Sequence, residues 1–79
     1  MNPYYKKAVE IAKDYLGPAA ERFVNRQIEF HLNKKPEELE KKDVKKLSEM
    51  TRAALGMLTH DKASVDSCYQ RMIKISDGN

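Results

Sequence analysis

Few side chains in this 79-residue chain have the chemistry of a reactive site, and their spacing works against one. The imidazoles His31 and His60, the carboxylate Asp61 and the thiol Cys68 are the candidate metal ligands. Metal binding needs several such groups converging at set spacing, and no HxxxH, HExxH or CxxC pair occurs. Nucleophilic attack by Cys68 would require an activating base and an electropositive setting. His60 stands well upstream, across a helix start, and Cys68 belongs to a regular apolar stripe. The paired carboxylates Glu37 and Glu38 fall in a lysine-rich turn, where solvation keeps them ordinary. Gly17, Gly56 and Gly78 are scattered and make no phosphate-cradling loop. The expectation is therefore no catalytic residue, no cofactor and no metal. His31 should be a partly buried histidine near Ile28, and His60-Asp61 a helix start.

Charge offers one local feature. Net charge is +3, and residues 34–46 hold Lys34, Lys35, Lys41, Lys42, Lys45 and Lys46 against Glu37, Glu38, Glu40 and Asp43. Six ammoniums in one segment could neutralise phosphates and make binding salt-dependent. The interleaved acids weaken that field, and the segment where a recognition helix would begin carries Lys45 and Lys46 but no Asn or Gln to read base edges. Weak electrostatic nucleic-acid binding is the runner-up function.

The elements that would hold these residues read as helices. Tyr4, Ala8, Ile11, Ala12 and Tyr15 make one apolar stripe; Val44, Leu47, Met50, Ala54 and Met57 make another; Val65, Cys68, Tyr69, Met72 and Ile73 a third. Asn2-Pro3 opens the first helix and Gly17-Pro18 closes it at a tight joint. The second helix should run over 18–32, with apolar residues spread widely enough to make it the most central. Asn33 and Pro36 end it, a single turn follows at 36–40 with Leu39 tucked inward, and Asp43 caps a third helix over 43–58. Thr59 or Asp61 starts a fourth over 62–75, and residues 76–79 should fray. The prediction is one all-α domain, a small four-helix unit with an extra short helical turn. Its expected core is Ala12, Leu16, Phe23, Ile28, Leu47, Ala54, Leu58, Cys68, Met72 and Ile73.

Residues 16–23 (Leu-Gly-Pro-Ala-Ala-Glu-Arg-Phe), with His31-Leu32-Asn33 and Pro36-Glu37-Glu38-Leu39, resemble a short helical module found at the ends of bacterial signalling and regulatory proteins. The resemblance covers roughly 16–58 and implies a non-catalytic regulatory or docking role. The 79 residues themselves contain no receiver or kinase segment, a departure from that pattern.

A domain of this size buries only about 60% of its unfolded surface, and one cysteine allows no internal disulfide. Association is the remaining route to extra burial. Apolar residues in surplus of one stripe supply the surface: Phe30, Met50, Met57 and one of Tyr4 or Tyr5, because adjacent helix positions point about 100° apart. The sequence thus predicts a non-enzymatic interaction or regulatory module that binds another protein or itself. Lacking a long apolar run or a signal-peptide pattern, it is expected in the cytoplasm and off the membrane.

Overall fold

The computed structural model describes residues 2–77. Among them there is no strand, and the α-helices are α1 (Pro3–Leu16), α2 (Ala20–His31), α3 (Val44–Leu58) and α4 (Lys62–Asp77). The Asn2 carboxamide oxygen accepts from the Tyr4 and Tyr5 amides at 2.9 and 3.1 Å, supplying the first free donors of α1 with an acceptor. Its Nδ2 donates to the Leu39 carbonyl at 2.6 Å and to Glu37 at 3.2 Å, so the cap also staples α1 to the α2–α3 connection. Gly17, at φ 59 and ψ −136, ends α1 in a conformation that side chains resist.

Pro18 does not open α2 directly. Gly17–Ala19 form a 3-10 turn, and α2 begins at Ala20, two residues later than the sequence suggested. It ends at His31, and Asn33, at φ 54, takes the left-handed conformation expected of it. Two 3-10 turns follow in place of the single one expected, Pro36–Glu38 and Lys41–Asp43. In each, a carboxylate reaches back to the amide before the turn: Lys35 N–H donates to Glu38 at 2.8 Å and Glu40 N–H to Asp43 at 2.9 Å. Leu39 lies between the turns in extended backbone and is buried, which is why they remain separate. Asp61 caps α4, accepting from the Ser64 amide at 3.1 Å and the Ser64 hydroxyl at 2.7 Å. Ser76 and Asp77 continue α4 rather than fraying; the remainder of that expected tail, Gly78 and Asn79, lies outside the described residues.

The helices pack as a ring, α1 on α2, α2 on α3, α3 on α4 and α4 on α1. The α3–α4 interface is the most extensive of these and α2–α3 the least, so α2 is not the central helix its broad apolar pattern implied. The radius of gyration, 11.2 Å, is close to the roughly 12 Å of a compact domain of this length. Heptad-like positions fill the core: Ala8, Val9 and Ala12; Ala20, Val24 and Ile28; Val44, Leu47 and Leu55; Val65, Cys68, Met72 and Ile75. Ala12, Ile28, Leu47, Cys68 and Met72 are buried as expected. Leu16, Phe23, Ala54 and Ile73 are only half-buried, and Leu58 is exposed.

Candidate functional site

The surface of greatest interest follows from how α3 is rotated. Its buried positions are Val44, Leu47, Ser48, Thr51 and Leu55, not the stripe through Met50, Ala54 and Met57. Both patterns share Val44 and Leu47, then diverge by about 100°. The small polar residues win because α3 lies against two neighbours, and narrow side chains allow the closest approach. Ser48 loses little by burial, since its hydroxyl donates to the Val44 carbonyl at 2.8 Å. The displaced apolar residues turn outward: Met57 is 88% exposed and Leu58 65%.

These two side chains stand at the C-terminal end of α3, between two depressions. On one side a groove of about 620 Å³ runs between α3 and α4, lined by Glu49, Arg52, Ala53, Gly56, His60 and Val65 among others. Arg52 spans its wall, 3.4 Å from Asp66 and over the Tyr69 ring at 4.9 Å. On the other side a smaller cleft brings Leu58 together with Tyr15, Leu16 and Leu55. A clamp holds α1 to α4 beside it: Arg71 is 2.8 Å from Asp14 and donates to the Tyr15 hydroxyl at 3.2 Å, and Ser67 shares a 2.8 Å hydrogen bond with that hydroxyl.

The other apolar candidates are elsewhere. Phe30, 72% exposed, lies near the C-terminal end of α2, with the Arg26 guanidinium 5.8 Å from its ring centre. Met50 is half-buried. Tyr4 and Tyr5 both pack against the core, whereas only one of them was expected to join the stripe. Burial raises the Tyr5 phenol above its usual range, with the nearby Glu21 carboxylate adding to the effect. The structure therefore does not gather the five candidates into one patch. Leu58 is the residue that sequence reasoning missed, because it was assigned to the core; the pattern Val44, Leu47, Leu55 was the available signal.

The lysine segment divides in the same way. Lys34 is turned inward, 2.6 Å from Asp43 and 2.9 Å from Glu40, and Lys42 approaches Glu40 at 3.8 Å. The hydrogen bonds that its ammonium donates to Asp43 and Glu40 raise the Lys34 pKa. Asp43 is buried, which alone would push its carboxyl up, but the Lys34 ammonium and the Glu40 amide outweigh burial and hold it below the usual range. Lys34 is thus a structural cation. Lys35, Lys41, Lys42, Lys45 and Lys46 are exposed, and Lys41, Lys42 and Lys45 line a shallow cleft with Ser76 where α3 begins and α4 ends.

No group of three or more potential metal ligands converges among the described residues. His31 is exposed, not partly buried, since it closes the last turn of α2 on the outer side. His60 is exposed in the α3–α4 joint. Cys68 is buried with its sulfur 4.0 Å from the Met72 thioether, and burial raises its pKa against the opposing pull of Arg71. A thiol held protonated in an apolar setting is a poor nucleophile. No helix among the described residues is long and apolar enough to cross a membrane. No family model, curated protein or solved structure matches the chain.

Proposed function

We propose that this four-helix unit is a non-enzymatic interaction module acting in the cytoplasm, binding another protein or itself through the C-terminal end of α3. Its role is regulatory or docking, as the resemblance of residues 16–58 to helical modules of signalling proteins implies. The observation that supports this reading is the adjacent exposure of Met57 and Leu58 at the end of α3, next to a largely charged groove on the α4 side and a cleft with Leu16, Leu55 and Leu58 in its wall. Single exposed apolar residues are ordinary on soluble proteins, whereas a contiguous patch against a groove is the usual form of a contact surface. A photo-crosslinking amino acid placed at position 57 in the native cell tests it, with position 13 on the exposed side of α1 as control. Defined covalent adducts are expected at 57 and not at 13; equal or absent labelling at both positions would remove the proposal.

A second reading is favoured by the cleft of Lys41, Lys42 and Lys45, which with Lys46 concentrates exposed cations at the opposite end of the bundle. It is weak, electrostatic binding of nucleic acid.

A further inference from the structure

We infer that the α3–α4 groove is the contact between two copies of this chain, with the α3 helices packed antiparallel about a two-fold axis between Ala53 and Gly56. This rests on the interaction reading above and commits it to one occupant. Three observations lead to it.

The first is Gly56. It sits inside α3, where glycine is the poorest helix former other than proline, and its φ is not in the left-handed region. A Cβ built there would meet nothing within 4 Å, so no contact within the chain requires a glycine. A backbone approaching from outside would. Ala53 and Met57, also exposed, continue the same outward side of the helix.

The second is the distribution of charge. Arg52 and Asp66 pair across the groove, but among the described residues Glu49 and Lys62 have no opposite charge within 4.0 Å. Glu49 lies toward the middle of the bundle, and Lys62 lies with His60 at its tip. A surface with unlike charges at its two ends complements itself when turned through a two-fold, whereas a patch of one sign repels its own copy.

The third is register. An axis between positions 53 and 56 sets Ala53 against the partner's Gly56 and the aliphatic stem of Arg52 against the partner's Met57. It brings Glu49 toward the end of the partner's α3, where the joint carries His60 and Lys62. Small residues meet where the backbones cross, the exposed methionine is covered, and Glu49, the one carboxylate of α3, faces the basic end of the partner's groove. A foreign helix could use the groove, but it would have to reproduce this pattern, which the chain already carries.

Sedimentation equilibrium of the whole chain, from about 10 µM to about 1 mM in roughly 50 mM salt, provides the test. The mass is expected to rise from 9.1 kDa toward twice that value. Gly56→Ala should raise Tm and yet weaken association by about tenfold or more, a combination that damage to the fold cannot produce. Met57→Lys, at a position that contributes little to the core, should also weaken it by setting a second cation against Arg52. Glu49→Lys should weaken it too, and adding His60→Glu to that variant should restore it. A 9.1 kDa species at every concentration, or a dimer indifferent to these substitutions, overturns the inference. Crosslinks from position 57 to a different protein, with a monomeric chain, would overturn it while leaving the interaction reading in place.

Discussion

Asp43 shows most clearly how one side chain ties segments together. Its Oδ2 accepts from the Lys34 ammonium and from the Glu40 amide, joining the start of the α2–α3 connection to the first turn of α3. The pKa of a carboxylate so held falls below its value of about 3.9 in the unfolded chain. Its stabilisation is therefore complete at neutral pH and is lost as pH falls below about 4 through the lower, folded value. Lys34 is the mirror case: its folded pKa is raised, so its contribution is complete below the unfolded value and disappears as pH rises through the folded one. Urea melts should show stability level across the neutral range and declining at both extremes. Asp43→Asn should cost about 1–3 kcal/mol at pH 7 and flatten the acid limb; an unchanged limb would mean that Asp43 is not the titrating group. Cys68 gives a second residue-level expectation. Its burial and raised pKa predict that thiol reagents label the native protein at pH 8 many times more slowly than the urea-unfolded chain. Equal rates in the two states would contradict its place in the core.

At the scale of the element, α3 separates what the pattern of apolar residues could tell from what it could not. Leu47 is fully buried, so Leu47→Ala should cost about 2–5 kcal/mol, while Leu58→Ala should cost less than about 0.5 kcal/mol because Leu58 faces water. Calorimetry on the pair checks the rotation of the helix; a large loss at Leu58 would mean that α3 presents the other stripe. Caps and breaks were legible because their causes are local. Asn2-Pro3, Gly17 and Asn33 each act through the backbone of their own turn and take the places expected of them, and Asp61 is the one of the two residues Thr59 and Asp61 that caps α4. Asp43, expected to cap α3, makes no side-chain cap there and bonds back to the Glu40 amide instead. The register of α3 was not legible, since two stripes share Val44 and Leu47 and the one buried is the less apolar, with Ser48 and Thr51 in place of Met50 and Ala54. The choice depends on how closely α2 and α4 approach, a tertiary quantity that favoured Ser48 and Thr51 over Met50 and Met57. The same reason hid the exposure of Leu58: Met57 was named for being surplus, but Leu58 beside it was assigned to the interior. The Lys34 ion pairs were hidden too, because six lysines in one segment look alike until one of them is turned inward.

For the molecule as a whole, the two candidate surfaces lie at opposite ends. Asn2 bonded to the 37–39 backbone, and the cleft shared by Lys41, Lys42, Lys45 and Ser76, mark one end. The cleft of Asp14, Leu16, Leu58 and Asp61 marks the other. This polarity makes the nucleic-acid reading separately testable. If Lys41, Lys42, Lys45 and Lys46 each neutralise a phosphate, the salt slope is about −3.6, and affinity for duplex DNA should fall roughly a hundredfold between 50 and 200 mM salt. Lysines act as point charges, and α3 offers no Asn or Gln at its start, so that binding should be indifferent to sequence. Lys45→Glu with Lys46→Glu should abolish it. Fluorescence anisotropy with two unrelated duplexes decides the matter. Binding that persists at 200 mM salt and prefers one duplex would make the lysine end the principal functional surface and reduce the α3–α4 groove to a secondary one.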